Sequence, residues 1–367
     1  MKKHNSANER IKRKYLDFLK EAKRNNESTV DSAAKALNRF EVYTKFKDFK
    51  RFHISQAKAF KYYLAEQKGQ QSEKKLSKST LNTTLTQLKR FFQWLAREPG
   101  YKSRIDYNDA EYFNLSDKET RIATAKRQQK MPTIEQIECV INTMPVGTEI
   151  ERRDRALIAF TLLTGARVSA IASMKLKHVN LIDGYVNQDA REVNTKSSKT
   201  FSTFFFPVGE EINGIVAEWV SYLREEKLWG NDDPLFPKTH IAQGASHQFE
   251  AEGLERKHWR TASPIRKIFS EAFDRADIPR FNPHSFRNTI TQLGQKVCKT
   301  PEELKAWSQN LGHEKVLITL TSYGEVECHR QGEIMRDLAM PQKPIQTGAD
   351  EIAEAVVKKL LRDGVDV

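Results

Sequence analysis

The sequence predicts a mainly α protein with a small antiparallel β-sheet, an α+β arrangement in which a helical basic domain precedes a mixed one. Three observations predict it. Apolar residues recur at helical spacing through the first hundred positions, as in Leu81, Leu85, Leu88, Phe92 and Leu95. Only the stretch from 178 to 208 gathers β-branched and aromatic residues between turn formers. The positive charge sits at one end: residues 1–130 hold 31 Lys and Arg against 15 Asp and Glu, while the whole 367-residue chain carries only +13. A length of 367 residues suggests two domains, and 38% hydrophobic residues suffice for buried cores. A basic first third suits a polyanionic partner, although lysines on solvated helix faces would give the same count.

In chain order, Ile11, Tyr15, Phe18 and Ala22 form one apolar stripe, and Val30, Ala33, Leu37 and Phe40 a second. "ISQAKAFKYYLAEQ" is a third helix, and "STLNTTLTQLKRFFQWLAREPG" a fourth, with Ser79 or Thr80 as cap and Pro99-Gly100 as stop. Residues 1–110 therefore read as a helical, basic, core DNA-binding domain. Residues 111–130, "EYFNLSDKETRIATAKRQQK", lose the apolar period and read as a linker. A second domain follows over 131–340. "MPTIEQIECVINTM" opens it as a helix, with Pro132 near the first turn. "RDRALIAFTLLTGARVSAIASM" reads as helix, glycine turn, helix. "HVNLIDGYV", "REVNTKSS" and "FSTFFFPV" read as strands, and "PLFPKTHIAQGASHQFEAEGLERKHWRTAS" as a long loop or insertion. Helices resume in "SPIRKIFSEAFDRA", "SFRNTITQLGQKV", "PEELKAWSQN" and "VLITLTSY". In residues 341–367, Ile352, Val356 and Leu360 fall at four-residue intervals and predict an amphipathic tail helix.

Several classes are excluded. Cys139, Cys298 and Cys328 are far apart and form no CxxC pair, so neither a disulfide framework nor a cysteine zinc site is expected. The basic start lacks the apolar run of a signal peptide, and no stretch approaches the ~18–20 apolar residues of a membrane span. A cytoplasmic protein associated with nucleic acid is the expectation. With no Walker loop, EF-hand loop or HExxH, neither ATP nor a catalytic metal is indicated, and no cofactor is expected.

Four short motifs stand in order. "LLTGARVSAI" places Arg167 just after a glycine turn. "TKSSKTFSTFFFPV" places Lys199 in a hairpin turn before Pro207, with Lys196 three residues earlier. "NPHSFRNT" puts His284 and Arg287 on one face of a helix start. "WSQNLGHEKVLITLTSYGEV" carries His313 and Tyr323, and Tyr323 is the one tyrosine of ten that lies beyond Tyr222.

Together these motifs resemble the tyrosine recombinase (phage integrase) family over 131–325, and the basic helical first part agrees with that architecture. The resemblance implies an enzyme that cuts and rejoins DNA without ATP or metal. Arg167 and Arg287 would clamp the phosphate, since a guanidinium fork holds two oxygens in fixed geometry. His284 would be an acid–base or phosphate donor, and His313 the second histidine of the pocket. Lys199 would protonate the leaving 5′-oxygen, with Lys196 as the alternative. Tyr323 would be the nucleophile that forms a 3′-phosphotyrosyl link.

The implied partners are double-stranded recombination sites, a homotetramer on paired sites, and accessory DNA-bending or directionality proteins. The tail would dock on a neighbouring protomer or pack on its own domain. Integration, excision, resolution and transposition stay open, as do a type IB topoisomerase and a non-cleaving DNA-binding protein on the same fold. Two positions depart from the family. The acid usually found three residues after the first arginine is Ala170 here, so either the surroundings of Arg167 differ or an acid such as Glu192 or Asp154 substitutes. The interval from His313 to Tyr323 is also one residue longer than the commonest spacing.

Overall fold

The computed structural model describes residues 4–69, 72–125, 130–243 and 248–313. The chain divides into two compact units, 1–127 and 128–367.

The first unit is built from helices that bury aromatic side chains. Helix α1 (Ser6–Asp17) starts on the Asn5 cap and runs into a π-helical turn, Phe18–Ala22. Helix α2 (Glu27–Tyr43) is capped by Asn26, and α3 (Ile54–Glu66) by a His53–Gln56 capping box. A two-stranded hairpin, β1 (Lys68–Gly69) with β2 (Ser72–Lys75), leads into α4 (Lys78–Leu95), which Ser77 caps. Helix α4 buries Leu81, Leu85, Leu88, Phe91, Phe92 and Leu95, the stripe read from sequence. Phe92 stacks on Phe52 with ring centroids 3.9 Å apart and meets Phe40 edge-on at 5.3 Å. Offset and edge-on pairs of this kind contribute ~0.5–1.5 kcal/mol each beyond area burial.

The expected linker is folded through much of its length. Residues Tyr107–Phe113 form a 3₁₀ turn that buries Ala110 and Phe113, and Phe113 packs 5.5 Å from Phe92. The 3₁₀ repeat of three residues per turn hides this apolar pair from a search at helical period. Helix α5 (Asp117–Thr124) follows on a Ser116–Glu119 capping box, and Lys78 of α4 pairs with Glu119 at 2.8 Å.

The second unit is organised around α7 (Glu149–Thr164). Its residues Ala156 to Thr164 are all buried, so it is apolar all round and shows little amphipathicity. Around it lie α6 (Ile134–Thr143), α9 (Glu210–Ser221), α10 (Ser263–Arg275), α11 (Pro283–Val297) and α12 (Pro301–Asn310). A short helix, α8 (Val168–Ile171), follows the Gly165 turn. The three-stranded antiparallel sheet has the order β3 (Val179–Asn180), β4 (Tyr185–Gln188), β5 (Phe201–Phe204).

Two readings of this region are corrected. "REVNTKSS" is not a strand. The Asp189 carboxylate accepts from the Arg191 N–H, and the Val193 N–H bonds back to the Asp189 carbonyl, so the chain turns and ends in a 3₁₀ turn, Lys196–Ser198. The stretch read as a long loop contains a hairpin, β6 (Lys238–Gln243) with β7 (Phe249–Glu255). Most side chains of both strands are exposed, so no alternation marks them. Buried Arg153 anchors the hairpin's base by donating to the Pro237 carbonyl and the Thr239 hydroxyl at 3.0 Å, with its guanidinium over Trp259. No helix among the described residues is long and apolar enough to cross a membrane.

Candidate active site

The site is built around one turn. Helix α7 ends at Gly165, whose φ of 57° is left-handed. A side chain there would be strained, and a Cβ would also sit 3.1 Å from Leu311 and 3.2 Å from Ile290. The turn sends the chain back sharply, so that Arg167 emerges as the residue preceding α8. Its guanidinium makes no hydrogen bond or ion pair to a described residue, and partial burial alone pushes its pKa down.

Arg287 lies one turn into α11, whose start is fixed by the Asn282 side chain accepting from the His284 and Ser285 N–H groups. It is only 4% exposed. Its guanidinium donates to the Gly165 carbonyl, to the Leu311 carbonyl at 2.5 Å, and to the His313 ring at 3.3 Å. Burial pushes its pKa down, and the charge of Arg167 adds to that. A guanidinium stays protonated under such pressure. The structure therefore holds two cations near each other, with no carboxylate among the described residues that act on them.

The histidines complete the ring. His313 follows the α12 terminus, where its N–H bonds to the Ser308 carbonyl. It is pushed down to about 4, by burial first and then by Arg287, Arg167, His284 and Lys196. His284 is also shifted down, by burial first and then by Arg287, Arg167 and Lys196. Both rings are thus neutral near pH 7 and can donate or accept hydrogen bonds without adding charge. Five of the residues named from sequence or beside them therefore converge: Arg167, Arg287, His284, His313 and Lys196.

Lysine placement adds a detail that sequence spacing missed. Lys196 stands in the 3₁₀ turn before β5 and its charge reaches both imidazoles. Lys199 lies three residues on, half-buried at the end of that turn. Tyr323 and the tail 341–367 lie outside the described residues.

Neither acid expected to replace the missing one does so. Asp154 is held by Arg153 near the far end of α7, and Glu192 is held by Lys177 at 2.7 Å and His178 at 2.9 Å. The position three residues after Arg167 is filled by Ala170, 1% exposed and packed in the core. The second arginine, Arg287, is held by carbonyls, while Arg167 has no such partner among the described residues. The only sequence signal for this was the glycine of "TGAR", whose left-handed turn presents its carbonyl to Arg287.

Two guanidiniums and two neutral imidazoles set close together, on a helical unit with a three-stranded sheet, form a group able to grip a phosphate. Comparison with known proteins agrees. The model of the phage integrase family matches residues 132–329. Tyrosine recombinase XerD of Ralstonia nicotianae is 32% identical over 272 residues, covering 72% of this chain and 74% of that protein. A tyrosine recombinase relative from Caldanaerobacter subterraneus is 25% identical over 173 residues, covering 47% of this chain but only 54% of the relative. In structure, a lambda integrase dimer bound to a COC′ core site aligns with a TM-score of 0.58 at 12% identity, covering 92% of this chain and 99% of that one. The chain belongs to the phage integrase family of tyrosine recombinases, enzymes that cleave and rejoin DNA.

Proposed function

We propose that this chain is a site-specific recombinase that breaks a DNA strand through Tyr323 and rejoins it to another without ATP or metal. The observation that carries this reading is the gathering of Arg167, Arg287, His284 and His313, with no carboxylate acting on the arginines among the described residues. A phosphodiester bears one negative charge, and its pentacoordinate transition state concentrates more on the non-bridging oxygens. Donors fixed in advance around that position stabilise the transition state more than the ground state.

In the proposed step the Tyr323 oxygen attacks phosphorus, the bond to the 5′-oxygen breaks, and a lysine of the 196–199 turn protonates that oxygen. The phenolic proton leaves to a neutral imidazole of the pocket. The 3′-phosphotyrosyl bond keeps the energy of the broken link, and the 5′-hydroxyl of a partner strand reverses the reaction. The partners are duplex sites, paired within a homotetramer, with accessory DNA-bending proteins choosing the direction. The basic first unit supplies the sequence-independent grip on phosphates.

A nicked suicide substrate tests the reading. Wild-type protein should become covalently attached to the 3′ end. Tyr323→Phe should bind the same duplex and form no adduct, because only the hydroxyl is lost. An adduct in the phenylalanine variant would move the nucleophile elsewhere. Binding without any adduct in the wild type would leave a non-cleaving DNA-binding protein.

A further inference from the structure

The first unit contains a cleft that the phosphate chemistry above does not use. It lies between the end of α1, the π-helical turn after it, and the last two turns of α4, with a volume of about 410 Å³. Its walls are aromatic. The Trp94 ring lies 5.0 Å from Tyr15 and 5.9 Å from Phe18. Tyr107 closes one side, with Arg97 over its face at 4.8 Å.

Gln93, on the wall, donates to Glu111 at 3.0 Å, but two other polar groups of the cleft have no such partner. Gln87 is 8% exposed, lines the cleft, and its carboxamide makes no hydrogen bond to a described residue. Tyr15 is 2% exposed and also lines the cleft, and its hydroxyl makes none either. Both polar atoms are reachable from the cleft, so a ligand entering it can hydrogen-bond to them. Around the rim stand Lys23, Arg90 and Arg97, all exposed, and none forms an ion pair with a described residue. No carboxylate lines the cleft. The helix that forms one wall is widened to a π turn at Phe18–Ala22, a distortion that recurs where helices are shaped around functional sites.

We propose that this cleft binds a nucleoside phosphate through an unpaired base. Each part of the cleft matches a part of that ligand. Flat aromatic walls stack on a base, which has a π-face whatever its sequence. A carboxamide presents a donor beside an acceptor, the complement of an unpaired base edge. The rim cations take the phosphate. An acidic peptide would satisfy the cations but has no flat ring for the walls to stack on. The nucleotide comes either free from solution or as a base swung out of a DNA strand held by the same unit.

Binding to the full-length protein tests this with AMP, ribose 5-phosphate, and two duplexes differing only in whether a 2-aminopurine is paired or extrahelical. AMP should bind ~5- to 150-fold more tightly than ribose 5-phosphate, since base–aromatic stacking is worth ~1–3 kcal/mol. Gln87→Met, close in size, should weaken the base-bearing probe by ~10-fold through the lost hydrogen bonds. Lys23→Gln, at the exposed rim where folding is not at stake, should flatten the salt dependence. AMP binding assigns the free nucleotide. Quenched 2-aminopurine in the extrahelical duplex alone assigns the DNA-borne base. Equal binding of AMP and ribose 5-phosphate, failure of every base-bearing probe, or indifference to both substitutions would overturn the proposal.

Discussion

Acid should weaken the second unit, and His313 is the residue that isolates the effect. Its imidazole is held near 4 in the folded chain by burial and by Arg287, Arg167, His284 and Lys196. In an unfolded chain histidine titrates near ~6.5. Between those values the unfolded chain binds a proton that the folded chain refuses. Stability therefore falls as pH drops from about 6.5 toward 4. A gap of that size corresponds to ~3 kcal/mol if fully felt. The ring is partly exposed and its charges are screened, so roughly 1 kcal/mol between pH 7 and 5 is the realistic size. His284 and His258 are displaced in the same direction, so the wild-type acid sensitivity contains all three. Urea melts at the two pH values, compared between wild type and His313→Gln, separate them. The glutamine keeps a neutral hydrogen-bonding group and removes the titration. The variant should lose about 1 kcal/mol less on acidification, and added sulfate should narrow the difference by neutralising the cationic ring. Equal acid losses in the two proteins, with or without sulfate, would refute a histidine held neutral by its neighbours.

Three further outcomes follow from the same geometry. Arg287→Lys should cut adduct formation by ~10²–10³ and lower stability by ~2–4 kcal/mol, because one ammonium cannot serve the Gly165 and Leu311 carbonyls at once; cleavage assays paired with urea melts check both losses. Gly165→Ala should cost ~1–3 kcal/mol, from the left-handed backbone and the close approach to Leu311 and Ile290, as measured by thermal melts. Lys196→Ala should slow departure of a normal 5′-oxygen and be rescued by a 5′-bridging sulfur, since Lys196 is the lysine whose charge reaches both histidines; rescue of Lys199→Ala instead would return the role to Lys199.

How legible all this was depends on the reach of each interaction. The α4 stripe and the α7–glycine–α8 turn were readable because their determinants lie within a few residues of one another: a repeat of apolar positions, a cap, a glycine. The β6–β7 hairpin was not, because its strands are solvated on most positions and held by a distant buried arginine, Arg153. The folded part of the linker was hidden for a related reason: Phe113 is fixed by Phe92 and Phe52, far away in sequence, and its local repeat is that of a 3₁₀ turn. The site shows the same division. Arg167, His284, Arg287 and His313 were legible as motifs. What holds Arg287 was not, because it is held by main-chain carbonyls, and a sequence does not say which carbonyl faces which side chain.

That arrangement bears on how the site works. A carboxylate beside an arginine would hold it in place but would also neutralise part of the field that a phosphate meets. Carbonyls at Gly165 and Leu311 orient Arg287, and no carboxylate among the described residues offsets its charge. Burying a cation without a counter-ion is costly, and three hydrogen bonds recover only part of that cost. The depressed pKa values of Arg287 and both histidines are the record of the remainder. In the proposed reaction a bound phosphodiester would supply negative charge and offset that cost. The same arginine thus fastens the end of α7 to the end of α12 and, in the proposed reaction, would also face the substrate. Loss of activity on changing it therefore has two sources, and only a variant that keeps stability while losing cleavage would report on the phosphate alone.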